Sequence, residues 1–161
     1  ALNMDKLNDS MGSIIRQISF SNFERRIHAV KNRLSIPELN KVWIEVTKEL
    51  YGDEGVVFTY KDCEYLWSYI PHFHMPFYVY GYAFGELLTQ SLYATQNKFE
   101  KKEFETLYLN LLRAGSSKEA KKLLKPFGLD PTRPEFWAEG FTTIDALLTE
   151  TEKLSAEYGV K

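Results

Sequence analysis

The segment from Tyr69 to Glu86 concentrates the side chains of this sequence that could act on a polar ligand. It holds two of the three histidines and four of the ten tyrosines of the chain. Imidazole and phenol groups can remain neutral hydrogen-bond donors near pH 7, so they are suited to hold a polar ligand beside a reaction centre. The segment is therefore the first candidate for a functional site.

Helical spacing predicts which of these tyrosines act together. Pro76 suits the first turn of a helix, and we predict a helix from Phe77 to about Asn97. On one face of such a helix, Tyr78 and Tyr82 lie four residues apart, whereas Tyr80 points largely away from that face. We therefore expect Tyr78 and Tyr82 to act on the same ligand.

Two histidines precede this predicted helix. His72 and His74 lie two residues apart after Pro71, and in an extended loop such a pair shares one side. Two imidazoles and two phenols would then converge near a helix N-terminus, where negative charge is favoured. Such donors can stabilise an oxyanion. The alternative is that the tyrosines are core aromatics with solvated hydroxyl groups, which is the more common role of tyrosines on a helix.

The histidine spacing does not match the zinc-hydrolase motif His-Glu-x-x-His. That motif places two imidazoles on one helix face with a glutamate base between them. The residues that follow His28, His72 and His74 give no such pattern. We therefore expect no metal in this chain, and we expect His28 to be solvent-exposed on a helix flank that also carries Arg25, Arg26 and Lys31.

Composition limits the class of protein. The chain has 161 residues with 44% hydrophobic and 15% aromatic residues, so we expect one packed domain over residues 1–161. A formal net charge of −2, from 20 basic and 22 acidic residues, gives no electrostatic argument for nucleic acid or an anionic membrane as a partner. We expect neither partner.

From the sequence we predict neither a signal peptide nor a transmembrane helix. No stretch approaches eighteen uninterrupted apolar residues, and the N-terminus lacks a basic region followed by an apolar run. The lone Cys63 cannot form an internal disulfide and fits a reducing compartment, so we expect a cytoplasmic location and a small buried cysteine. The chain starts inside a helical pattern, as a piece of a longer polypeptide would.

The periodicity of apolar residues predicts an all-α fold, a bundle of several helices. We predict a first helix over residues 2–34. A capping box at Ser35–Glu38 opens a second helix that ends near Leu50. A short helix or turn is expected over residues 62–68, before the histidine loop. Later helices are predicted over residues 98–114 and 117–125, and from Thr142 or Thr143 to about Tyr158. No strand pattern persists.

Gly81 and Gly85 lie one turn apart inside the predicted helix that carries the tyrosines. A glycine in a helix interior costs roughly 1 kcal/mol relative to alanine. Their presence indicates that another backbone or a ligand lies close to that face.

Several motifs together resemble one family of enzymes. The chain looks like the C-terminal portion of oligoendopeptidase F, a zinc metallopeptidase related to thimet oligopeptidase. The resemblance runs nearly end to end, and its most specific part is the block from His72-Phe to Tyr82-Ala-Phe-Gly. It is carried by the runs Arg16–His28, Leu39–Trp43, Tyr51–Asp53, Ile70–Phe73, Pro76–Leu87, Leu92–Ala94, Gly115–Ser116, Phe127–Asp130 and Phe136–Trp137.

This resemblance implies a mostly helical clam-shell fold around a deep channel, in which zinc-activated water cuts short peptides. The zinc ligands and the catalytic glutamate of the family lie upstream of the part that this chain resembles. The resemblance therefore implies that the chain alone is inactive, that zinc is a cofactor of the full-length protein, and that the upstream part of the same polypeptide is a partner. An open apolar face would also favour a homo-oligomer.

The resemblance assigns roles within the histidine and tyrosine segment. His72 becomes the substrate-binding histidine of the catalytic group, and Tyr78 and Tyr82 the phenol donors to the tetrahedral intermediate. His74 and Tyr80 become further substrate-binding residues. Which tyrosine is the oxyanion donor stays open, because the spacing from histidine to tyrosines varies among relatives. The alternative function is a non-enzymatic helical interaction domain that reuses the fold.

Overall fold

The computed structural model describes residues 2–55 and 57–159, and it confirms the all-α fold class. No strand occurs in this part of the chain. The α-helices are α1 (Leu2–Ser10), α2 (Gln17–Ala29), α3 (Ile36–Tyr51), α4 (Tyr80–Thr95), α5 (Lys101–Ala114), α6 (Ala120–Leu124) and α7 (Pro134–Tyr158). Short 3₁₀ turns cover Leu66–Tyr69, Pro71–His74, Gln96–Lys98 and Lys125–Phe127. Among the described residues, no helix is long and apolar enough to cross a membrane.

The predicted first helix is present but is shorter at its C-terminal end. The π-helical segment Met11–Arg16 joins α1 to α2, and the helical path ends at Ala29 rather than Leu34. Helix α3 begins as predicted, because the Glu38 carboxylate accepts hydrogen bonds from the backbone N–H and the hydroxyl of Ser35, at 2.8 and 2.6 Å. These bonds lower the pKa of Glu38.

The chain divides into two compact units. One is Asp9–Phe84, and the other combines the first eight residues with residues 85–161. In Asp9–Phe84, α2 and α3 bury Phe23, Trp43 and Val46, and Trp67 and Phe73 pack against them. Phe23 meets Trp43 edge to face at 5.3 Å, a geometry that contributes about 0.5–1.5 kcal/mol beyond burial.

Two indole hydrogen bonds fasten the segment before the histidines to α3. Trp43 Nε1 donates to the backbone oxygen of Cys63 at 3.0 Å, and Trp67 Nε1 donates to Asn40 Oδ1 at 2.8 Å. Cys63 itself is half-buried. The chain therefore enters the histidine segment from a fixed position in the unit Asp9–Phe84.

The other unit has its own core, formed by Leu92, Leu124, Phe127, Leu129 and Phe136. Helix α7 begins at Pro134 and not at Thr142 or Thr143 as predicted, because proline suits the first helical turn after the extended Arg133. Helix α6 begins at Ala120, three residues later than predicted.

Among the described residues, no other backbone lies close to Gly81 or Gly85. A Cβ atom built on Gly81 or Gly85 would meet nothing within 4 Å. The close approach occurs at Gly140 in α7, where a Cβ would lie 2.9 Å from the backbone oxygen of Leu87 and 3.0 Å from Ser91 Oγ. Ser91 Oγ also donates to the Phe136 carbonyl at 2.8 Å, so α4 and α7 touch backbone to backbone there.

Candidate functional site

Three of the predicted site residues lie together in the unit Asp9–Phe84. His72 Nε2 lies 2.7 Å from the Tyr82 hydroxyl oxygen, which is a hydrogen bond. The His72 ring stacks on the Tyr78 ring, with centroids 5.8 Å apart and planes 5° from parallel. Tyr78 and Tyr82 meet edge to face at 5.6 Å. The three rings therefore form one cluster, which we call the His72 cluster.

The cluster is accessible from one side. Tyr78 is 48% exposed and Tyr82 is 37% exposed, while His72 is half-buried. A ligand can therefore reach the side chains of Tyr78 and Tyr82.

The backbone around the cluster differs from the prediction. Helix α4 begins at Tyr80, not at Phe77, so Tyr78 lies before the helix and Tyr82 lies within it. The backbone N–H of Tyr78 donates to the Met75 carbonyl at 3.2 Å and closes a turn. The prediction that Tyr78, Tyr80 and Tyr82 lie on one helix was therefore wrong for Tyr78. Tyr78 and Tyr82 nevertheless meet.

That turn contains a strained residue. Pro76 occupies its second position, and Phe77 occupies its third position with φ of +62°. A bulky side chain is rare at positive φ, and such strain costs on the order of 1–3 kcal/mol. Proline followed by a residue at positive φ is the pattern of a type II turn, whose third position usually holds glycine.

His74 and Tyr80 lie outside the cluster. Pro71–His74 forms a 3₁₀ turn rather than an extended loop, so His72 and His74 do not share a side. Successive residues of a 3₁₀ helix are about 120° apart around its axis. His74 is exposed, and Tyr80 is 62% exposed. A surface depression of about 500 Å³ is lined by residues that include Tyr78 and Tyr80.

The protonation of Tyr82 is shifted by its surroundings. Desolvation raises the pKa of Tyr82 above its ordinary value, and a hydrogen bond and charge interaction with Tyr78 raise it further. Both effects disfavour the phenolate. Tyr82 therefore remains a neutral O–H donor at physiological pH.

Metal ligands are not assembled in this part of the protein. Within residues 2–55 and 57–159, no group of three or more His, Cys, Asp or Glu side chains could hold a metal ion. The donor set of the His72 cluster, one imidazole and two phenols, does not fit a zinc site of three protein ligands. As expected, His28 is exposed, but its ring also contacts the Phe77 ring at 5.1 Å.

Glu24 was not predicted from the sequence to take part in this site. Its side chain is buried in α2, and its Oε1 accepts a hydrogen bond from the Phe77 backbone N–H at 2.9 Å. A single glutamate on an amphipathic helix gives no sequence signal for a contact 53 residues away. It is nevertheless the residue that fastens the turn before α4.

Comparisons with known proteins agree with the motifs. The profile described as Peptidase family M3 matches residues 1–143. The chain is 36% identical over 146 residues to "Oligopeptidase PepF" of Bacillus subtilis, a match that covers 89% of this chain and 21% of that protein. It is 31% identical to "Group B oligopeptidase PepB" of Streptococcus agalactiae, covering 91% of this chain and 24% of that protein.

A third relative gives the same result. "Oligoendopeptidase F, plasmid" of Lactococcus lactis subsp. cremoris is 31% identical over 157 residues, covering 96% of this chain and 26% of that protein. No solved structure matches the chain. The chain thus spans between a fifth and about a quarter of the length of these curated relatives.

Proposed function

Because the chain belongs to Peptidase family M3, we propose that the His72 cluster is the substrate-contacting wall of a peptidase that cleaves short peptides. The observation that carries this proposal is the hydrogen bond of 2.7 Å between His72 Nε2 and the Tyr82 hydroxyl, beside the stacked Tyr78 ring. These residues act on the substrate backbone and stabilise the oxyanion of the tetrahedral intermediate.

The direction of the hydrogen bonds follows from this role. His72 in the tautomer with a proton on Nε2 donates to the Tyr82 oxygen, so the Tyr82 O–H can turn from Tyr78 and donate to the carbonyl oxygen of a bound substrate. As water attacks the carbonyl carbon, negative charge develops on that oxygen, and the donated hydrogen bond strengthens. Tyr82 is protonated at physiological pH like an ordinary tyrosine, and its raised pKa preserves that state.

Tyr78 takes a second place at the same site in this proposal. Its ring holds the imidazole plane of His72, and its side chain is half exposed, so we assign it a contact to the substrate. Tyr80 and His74 are exposed beside this wall, and we assign them contacts to more distant parts of the peptide.

Zinc belongs to the upstream part of the same polypeptide in this proposal. The described residues of this chain do not fit a zinc site. What these residues do is bind the peptide, orient its carbonyl group and donate to the developing oxyanion. The 161-residue chain on its own would therefore not cleave peptides.

A matched pair of tyrosine variants tests the proposal in the full-length protein. Tyr82→Phe removes the hydroxyl that bonds His72, whereas Tyr93→Phe removes the hydroxyl of a tyrosine that is 59% exposed on the same helix α4. We expect Tyr82→Phe to lower kcat/KM about 100-fold or more toward a quenched-fluorescent peptide, with zinc content unchanged. Tyr93→Phe should leave the rate unchanged. If Tyr82→Phe cleaves the peptide as fast as Tyr93→Phe, the result would favour the alternative function, a non-enzymatic interaction domain.

A further inference from the structure

Phe77 lies between His72 and Tyr78 in the sequence, and its backbone conformation is one that a bulky side chain disfavours. His72 precedes it in the 3₁₀ turn Pro71–His74, and Tyr78 follows it directly. Its φ of +62° is rare for a bulky residue, and such residues persist only when their surroundings hold them. Another group of the protein must therefore hold Phe77 in this conformation.

The Glu24 carboxylate is that group. Its Oε1 accepts the Phe77 backbone N–H at 2.9 Å, and this bond joins α2 to the turn across 53 residues. One helical turn further along α2, the His28 ring packs on the Phe77 ring. The turn is thus held at its backbone by Glu24 and at its side chain by His28.

Burial of Glu24 has no evident benefit for stability. The side chain is 1% exposed, and among the described residues its Oε2 has no hydrogen-bond partner. A buried acceptor without a partner is unfavourable, and an apolar side chain of similar volume often stabilises such a site. A function that needs the carboxylate explains its presence better than packing does.

We propose that Glu24 is a positioning residue that holds Phe77 at positive φ and so keeps Tyr78 stacked on His72. Its effect on catalysis rests on the function proposed for the His72 cluster. Glu24 does not touch the substrate. It acts through the backbone of the turn, which sets where the Tyr78 ring and the start of α4 lie.

Two substitutions separate the hydrogen bond from the charge. Glu24→Gln keeps an acceptor oxygen for the Phe77 N–H, whereas Glu24→Leu removes it. The probe is the ¹⁹F resonance of 3-fluorotyrosine placed at position 78 of the full-length protein, because ring stacking shifts that resonance. We expect Glu24→Leu to move the resonance toward that of an unstacked tyrosine and Glu24→Gln to leave it in place.

We expect kcat/KM of the two Glu24 variants to follow the same order as their ¹⁹F shifts. A displacement of about 1 Å in an active site can cost about 100-fold in rate, so we expect Glu24→Leu to lower kcat/KM by roughly 10- to 100-fold. Glu24→Gln should stay within about threefold of the original protein. Adding Phe77→Gly to Glu24→Leu should recover part of the loss, because glycine adopts positive φ without strain.

The outcomes distinguish this inference from the proposed function. An unchanged ¹⁹F resonance in Glu24→Leu overturns the positioning role, even if Tyr82→Phe impairs cleavage. A shifted resonance together with a Tyr82→Phe variant of full activity keeps the positioning role and rejects the catalytic one. If Glu24→Leu does not fold, Glu24→Gln decides: a displaced resonance there overturns the inference, and an undisplaced one supports it.

Discussion

His72 Nε2 and the Tyr82 hydroxyl lie 2.7 Å apart, although ten residues separate them in the sequence. The 3₁₀ turn Pro71–His74 and the turn closed by Met75 and Tyr78 reverse the chain between them. A hydrogen bond formed in this way depends on the backbone of both turns. The two side chains should therefore behave as one unit when they are changed.

The first prediction is that His72→Ala and Tyr82→Phe are not additive. Each change alone should lower kcat/KM of the full-length protein about 100-fold, because each one would break the proposed donor chain to the substrate oxygen. The double variant should be little worse than either single variant, since groups that act as a unit lose their effect together. Steady-state kinetics of the four proteins measures this. A double variant with the product of the two losses would show independent roles.

The second prediction ranks the other two tyrosines. Tyr78→Phe should lower kcat/KM at least tenfold, because Tyr78 lies in the His72 cluster and its side chain is half exposed. Tyr80→Phe should change kcat by less than about threefold, because that side chain lies outside the cluster. Peptides of different lengths check the second part, since a contact with distant substrate residues affects KM for longer peptides. The reverse ranking would assign the oxyanion donor to Tyr80.

The third prediction concerns ionisation of Tyr82. Desolvation and Tyr78 raise the pKa of Tyr82, so its phenolate should form at higher pH than that of an ordinary tyrosine, whose pKa is near 10. The absorbance of tyrosinate, compared between the original protein and Tyr82→Phe, reports this step. Tyr78→Phe should lower the pKa of Tyr82 because it removes one of the two causes. A Tyr82 step at or below the ordinary value would contradict the geometry.

Much of this architecture could be predicted from local signals. The capping box at Ser35–Glu38 marked the start of α3, and the predicted end of the helix over residues 98–114 matches the end of α5 at Ala114. The start of α4 could not be placed, because Pro76 is equally suited to a helical first turn and to the second position of a type II turn. The long-range bond from Glu24 to the Phe77 backbone favours the turn, and no local pattern contains it.

The candidate site could likewise be predicted where local sequence carries the signal, and not where its geometry depends on the backbone path. Crowding of histidines and tyrosines identified the His72 cluster, because those residue types were already unusual together. The separation of His74 from His72 depends on a 3₁₀ turn that the expected extended loop did not include. The close contact at Gly140 could not be predicted for a similar reason, since it depends on where α7 lies against α4.

The fourth prediction is a pH dependence of stability at Asp130. Hydrogen bonds from Thr132 and Lys121 lower the pKa of Asp130 to about 2. Because its folded pKa is below the unfolded value of 3.8, the carboxylate stabilises the fold above about pH 4, and this contribution is lost as pH falls toward 2. Asp130→Asn should therefore lower the melting temperature at pH 7 and have little effect at pH 2.

A matched exposed carboxylate is the control for this experiment. Glu150→Gln on α7 removes an exposed carboxylate and should leave the melting temperature unchanged at both pH values. If Asp130→Asn lowered the melting temperature equally at pH 7 and pH 2, the charge-based explanation would be contradicted.

The fifth prediction compares alanine at two helical glycines. Gly140→Ala should destabilise the protein by roughly 1–3 kcal/mol, because its Cβ would lie 2.9 Å from the Leu87 carbonyl. Gly81→Ala should stabilise it by about 0.4–1 kcal/mol, because nothing described lies within 4 Å and alanine is the better helix former. Denaturant unfolding measures both changes.

The activity of Gly81→Ala then decides why a glycine is there. Its neighbour Tyr82 belongs to the His72 cluster, so under the proposed function a substrate or the upstream part of the polypeptide would pass the open face beside Gly81. A variant that is more stable but cleaves peptides at least tenfold more slowly would show that the space is occupied in the working enzyme, as the sequence suggested. A variant that gains stability and keeps its rate would show that the space beside Gly81 is not needed, and the two-glycine pattern would then have no role in the site.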